Sequence, residues 1–182
     1  MAKTKGTTLV SLVKFLRSQH EKARPRLAPS LHHYLDERIH PSSWYPEEDL
    51  LALIRVMLAL LPGARDANLE RMGEIIAREH LEGIYGHLKS EEPHTLVRRA
   101  VALWASQHDS GSLRIDLHGD DGGTFSVQGF ALPSDEMCRI FQGYFAETMR
   151  VAGWTDVRVQ KAGCVLAGAD ACTWHASWRA PH

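Results

Sequence analysis

Three cysteines carry the most pointed chemistry in this 182-residue sequence: Cys138, Cys164 and Cys172. Two of them bound the stretch CVLAGADAC, and the third lies 26 residues upstream (164 − 138). Thiolates are soft ligands, and three of them suit zinc, which favours sulfur in a tetrahedral shell. His175, Asp170 or a water would then complete the shell. No CxxC pair is present, so on spacing alone ordinary burial of small apolar thiols is the stronger reading. A metal clip and a Cys164–Cys172 disulfide stand as alternatives. The odd count of three argues against a secreted disulfide framework and predicts a reducing, cytoplasmic location.

The aromatic residues form the second constellation. Trp104, Phe125, Phe141, Tyr144, Phe145 and Trp174 cluster toward the second half of the chain. Core packing accounts for such a cluster, and an aromatic-lined pocket for a small apolar molecule is the functional alternative. The 11 histidines are scattered. His32 and His33 are adjacent, which turns them about 100° apart on a helix and away from a shared ion. His80 and His87 sit at two-turn spacing, where structural or surface roles are expected before any haem or partner contact. HGDDGG lacks the further oxygen ligands of a calcium loop and reads as a hairpin turn. There is no GxSxG, P-loop or HExxH, so no enzyme is expected. A net charge of −1, with only Arg98 and Arg99 adjacent, predicts no nucleic-acid footprint. Arg55 interrupts LLALIRVMLALLPG, which falls short of the ~20 apolar residues that span a bilayer. Lys14 and Arg17 likewise break the apolar start, which does not read as a signal peptide.

These residues must be positioned by an α+β fold. Apolar spacing predicts about five helices first. Leu9, Leu12, Val13 and Leu16 share one face of the first, and RLAPSLHHYLDERI makes a broken second. SSWYP reads as a turn into a third helix, Glu47 to Leu61, apolar nearly all round and therefore buried. LERMGEIIAREHLEGIYGHL follows, with Leu69, Met72, Ile75, Ile76 and Leu81 inward, and then HTLVRRAVALWASQH. The period then changes to two. SLRIDLHG and TFSVQGF form one hairpin, and DVRVQKAGCVLA and ACTWHASW a second around GADA. Between them Ser134 caps an amphipathic helix that carries Cys138 and Gly143 and ends at Gly153. The expected result is a single domain over residues 1–182. Its helical half covers 1–108, and its sheet-containing half, 109–182, is a four-stranded antiparallel sheet built from two hairpins with one helix inserted between them.

Cys138, Gly143, Tyr144, Cys164, Gly168, Cys172, Trp174 and Trp178 together resemble the end of a 4-vinyl reductase-type domain. That resemblance implies a trafficking-complex-like fold, with a more remote likeness to haem-type nitric oxide sensors. In the phenol- and xylene-responsive sensors of that type, cysteines at the same intervals of 26 and 8 hold a structural zinc, and a glutamate serves three residues before the middle cysteine. Lys161 stands there in this sequence. The front half, with SSWYPEEDLLALIRVMLALLPG, is similar to an uncharacterised family numerous in myxobacteria.

The function expected is that of a non-enzymatic sensory or ligand-binding module. It would hold a small apolar molecule among Trp104, Phe125, Phe141, Tyr144, Phe145 and Trp174, with zinc at the cysteines if a metal is bound. No segment of the sequence reads as an output domain, so a partner protein is expected. Surplus apolar surface on LVSLVKFL and on the Glu47–Leu61 helix predicts a homodimer. The alternatives are a dimeric adaptor without ligand, and a haem-type gas sensor or reductase-like enzyme.

Overall fold

The computed structural model describes residues 1–83, 86–88 and 92–179. The chain opens with β1 (Lys3–Lys5), α1 (Gly6–Ser18), the short helices α2 (His20–Ala23) and α3 (His33–Asp36), and β2 (Trp44–Pro46). The long helices α4 (Glu47–Leu60), α5 (Arg65–Glu82) and α6 (Pro93–Gln107) complete the first half. The second half runs β3 (Ser112–Leu117), β4 (Gly122–Gln128), α7 (Asp135–Val151), β5 (Thr155–Gly163) and β6 (Cys172–Arg179). Its sheet has the order β3-β4-β6-β5 with every neighbouring pair antiparallel. The α+β class, the helical first half and the four-stranded antiparallel sheet are as expected, but the second hairpin differs in detail: β5 stops at Gly163, and a short 3-10 turn, Val165–Ala167, stands where the strand was expected to continue.

Two local features differ from expectation. SSWYP is no simple turn: Trp44–Pro46 pairs antiparallel with Lys3–Lys5 as a two-stranded ribbon. The ribbon is tied to the end of α6. Thr4 forms an isolated bridge with His108, the Asp109 N–H donates to the Lys3 carbonyl at 3.1 Å, and the Lys3 N–H donates to Asp109 Oδ1 at 2.6 Å. Ile75, expected inward on α5, is exposed, and the inner face instead carries Leu69, Met72, Gly73, Ile76, Ala77 and His80. The sequence pattern ran that helix on toward residue 88; residues 84 and 85 lie outside the described residues.

Burial follows the apolar spacing elsewhere. Leu9, Leu12, Val13 and Leu16 of α1 are inside, and α4 buries Leu50, Leu51, Leu53, Ile54, Val56 and Met57. The apolar surface that predicted a dimer is therefore covered within one chain. Besides Met1, the exposed large apolar side chains among the described residues are Trp44, Ile75, Val101 and Leu166, each from a different element. α7 starts as read, with the Ser134 hydroxyl accepting from the Met137 N–H at 3.1 Å and acids in its first turn. It packs its apolar face on the sheet and its back on α5.

Candidate functional site: an apolar cavity and a thiol cluster

Where α5, α6, α7 and β4 meet, they line a small cavity of about 60 Å3. Trp104 reaches it from α6, Phe125 from β4, and Phe141, Tyr144 and Phe145 from α7. Five of the six aromatic residues singled out from sequence thus share one wall. The sixth, Trp174, does not. It is wholly buried behind that wall, its ring 5.3 Å from Phe145 and 6.3 Å from Phe141. Phe125 and Phe145 stack at 4.8 Å, an offset arrangement that adds to simple area burial.

Two histidines also face this space: His80, for which the sequence predicts a structural or surface role, and His108, which sequence reasoning passed over. His80 is buried, with Nδ1 3.2 Å from the Tyr144 hydroxyl. Burial, helped by the nearby His108, pushes its pKa down to about 4, so the ring is neutral at pH 7. His108 Nδ1 lies 2.9 Å from Glu47 Oε1, and both side chains are almost fully buried. Its ring packs against Trp104 at 4.5 Å and edge-on to Phe130 and Phe141. His80 falls on the buried stripe with Gly73, Ile76 and Ala77. That periodicity was the signal available for it in the sequence.

The cysteines converge on one point from three elements. Cys138 comes from α7, Cys164 follows β5, and Cys172 opens β6. Their Sγ–Sγ separations are 3.6, 3.8 and 4.0 Å, and all three thiols are free of disulfides. Lys161 Nζ lies 3.1 Å from Cys138 Sγ and 3.6 Å above the Trp174 ring, a combined ion–thiol and cation–π seat. Burial pushes the Cys138 thiol up to about 12 despite Lys161. Burial also pushes the Cys172 thiol up, but the Val165 N–H and its thiol neighbours outweigh it and leave the group below its ordinary value. The other expected ligands stay away. His175 points to the exposed face, where its Nδ1 is 3.2 Å from the Thr124 hydroxyl, and Asp170 is exposed. Among the described residues no His, Asp or Glu joins the three thiols. Cys138 and Cys172 also form part of the wall of a second, larger pocket of about 190 Å3, with Val127, Phe130, Met137 and Val165 opposite.

No family model matches the sequence, and no curated protein matches it. Solved structures do. An H-NOX protein from S. oneidensis in the Fe(II)NO ligation state superposes with a TM-score of 0.68 at 12% identity, covering 96% of this chain and 99% of that one. An oxygen-binding H-NOX domain related to soluble guanylate cyclases, in its oxygen complex, gives 0.68 at 12%, covering 97% and 96%. A structure described for haem redox potential modulated by porphyrin distortion gives 0.67 at 11%, covering 95% and 99%. The chain therefore has the H-NOX fold over nearly its whole length. This corrects the likeness to 4-vinyl reductase-type domains. The cysteine–tryptophan pattern that carried it describes one helix and one hairpin, whereas the arrangement of the described helices around the sheet is that of the H-NOX structures.

Proposed function

We propose that this chain is a non-enzymatic sensory module that holds a small apolar molecule between its helical half and its sheet and passes the bound state to a partner protein. The cavity carries this reading. It is small, almost wholly apolar and carries few polar groups, His80, Tyr144 and His108 among them, in a fold shared with domains that bind diatomic gases at haem. Ligand pockets combine an apolar lining with few polar groups in this way. At about 60 Å3 the cavity is smaller than the ~150 Å3 that admits benzene in an engineered apolar site. A ligand of that size fits only if α5 or α6 shifts against α7, and that difference in fit between two arrangements is what shifts a population.

The residues do not fit haem as folded here. Sites for molecules of that class occupy roughly 300–1,000 Å3, several times the space present. His108, which packs against three aromatic rings, has its Nδ1 taken by Glu47 and its faces and edges packed by Trp104, Phe130 and Phe141. The decisive experiment is reconstitution with haemin followed by visible spectroscopy. No Soret band above that of free haemin is expected, while a stoichiometric band would overturn the apolar-ligand reading. Native mass spectrometry of untagged protein should show a bound organic molecule of low mass.

Zinc at Cys138, Cys164 and Cys172 is the metal part of the same reading. A tetrahedral shell with Zn–S bonds of about 2.3 Å has edges of about 3.8 Å, and the three sulfur separations straddle that length. The metal would clamp α7 to the β5–β6 hairpin, and such binding is folding free energy. Lys161 is too close to Cys138 to be ignored and cannot ligate while protonated.

A further inference from the structure

We propose that zinc at the cysteine trio keeps an open fourth position, that Lys161 is its charge partner and not a ligand, and that this position takes a small apolar thiol. The inference rests on the zinc reading of the three cysteines. Three thiolates, one zinc ion and one ammonium sum to zero charge. Burying an unbalanced charge is costly, and a neutral set removes that cost. The protein has no need to supply a fourth anion, and among the described residues it supplies none. Lys161 is held at its post from two sides, by Cys138 Sγ at 3.1 Å and by the Trp174 ring at 3.6 Å.

The fourth position has somewhere to open. Cys138 and Cys172 both belong to the wall of the 190 Å3 pocket, so a metal bonded to them lies at its edge. The pocket is lined by Val127, Phe130, Met137 and Val165 beside those sulfurs. It exceeds the ~150 Å3 that accommodates benzene. Its chemistry selects a neutral apolar body with one soft donor. A free thiol enters uncharged, displaces the zinc-bound water, and forms a Zn–S bond as its proton passes to solvent. Zinc sites with three protein ligands leave the fourth position to water or an exogenous ligand in this manner. With that fourth thiolate the set carries a net charge of −1, against −2 without the Lys161 ammonium, so Lys161 lowers the cost of binding it.

Cobalt(II) replaces zinc as a spectroscopic probe, and benzyl mercaptan serves as the thiol. Reduced full-length chain should bind one cobalt by native mass spectrometry and show sulfur-to-cobalt charge transfer. Benzyl mercaptan should add one mass equivalent per chain, intensify that absorption and shift the visible d–d bands. Val165→Trp, which fills the pocket, should weaken the thiol at least tenfold while one cobalt stays bound. Lys161→Met should weaken it about tenfold at unchanged metal content. A wild-type chain that binds neither cobalt nor zinc overturns the zinc reading itself. A chain that binds metal but whose spectrum ignores the thiol overturns the open position alone. Unchanged thiol affinity in Lys161→Met overturns the role given to Lys161.

Discussion

Gly73 and Gly143 let two helices touch backbone to backbone. Gly73 of α5 lies against the Ile140 carbonyl of α7, and Gly143 of α7 lies against the Glu70 carbonyl of α5. A Cβ at Gly73 would stand 2.7 Å from the Tyr144 nitrogen, and one at Gly143 2.7 Å from the Glu70 carbonyl carbon. Neither neighbour is a side chain that can swing away. A mid-helix glycine costs about 1 kcal/mol relative to alanine, and this reciprocal close approach is what offsets it.

Alanine at either position should therefore destabilise the protein, against the helix-propensity trend. Overpacking typically costs about 1–3 kcal/mol, and rigid backbone on both sides puts Gly143→Ala toward the upper end. Urea denaturation measures it. Because both changes strain one crossing, the double variant should lose less than the sum of the two.

His80 predicts a stability loss in mild acid. Its pKa falls from 6.5 unfolded to about 4 folded, so between those values the unfolded chain binds the extra proton. Stability is thus retained above pH 6.5 and declines as pH drops toward 4. At about 1.4 kcal/mol per unit, the full effect is on the order of 3 kcal/mol. The unfolding free energy of wild type minus that of His80→Leu, followed from pH 7.5 to 4, should fall by about 3 kcal/mol. A difference that stays flat would mean His80 is not buried as described.

The Glu47–His108 pair predicts an asymmetric mutational response. Among the described residues Glu47 Oε2 has no hydrogen-bond partner, while Oε1 has His108. His108→Leu would strand a buried carboxyl group and should cost about 3–5 kcal/mol. Adding Glu47→Leu should restore much of the loss, because an apolar pair of similar volume is often neutral or better. Thermal unfolding of the three variants tests the order.

Metal removal gives a further measurement. With zinc present, a chelator should lower the thermal midpoint, and Cys164→Ser should remove most of the chelator's effect. Zinc at a hundred times its dissociation constant should stabilise the protein by about 2.7 kcal/mol.

Much of this architecture was legible because apolar spacing reports burial directly. The stripe Leu9, Leu12, Val13, Leu16 and the all-round apolar α4 needed no tertiary information. Convergence of the thiols was legible too, since a helix packed between two hairpins can bring Cys138 over the turn that joins Cys164 to Cys172. What stayed hidden depended on partners far away in the chain. KTK and WYP have no alternation of their own and become strands only by pairing with each other. The two-turn spacing of His80 and His87 points to structural or surface roles, and nothing local says that His80 is buried against Tyr144, 64 residues on. Glu47 read as an acid in a helix's first turn, and nothing local announces a partner 61 residues on. The fold relationship was the hardest part, since local motif chemistry says little about how the helices stack.

The tie between β1 and the end of α6 also sets an order of events during synthesis. Thr4 leaves the ribosome first, yet its bridge partner is His108. At ~5–20 residues per second, the 104 residues that follow Thr4, up to and including His108, take about 5–20 s to appear. β2 emerges sooner, but a lone two-stranded ribbon is marginal in water. The first three-residue strand made is thus held in reserve, and its docking closes the helical half only after the whole of that half exists.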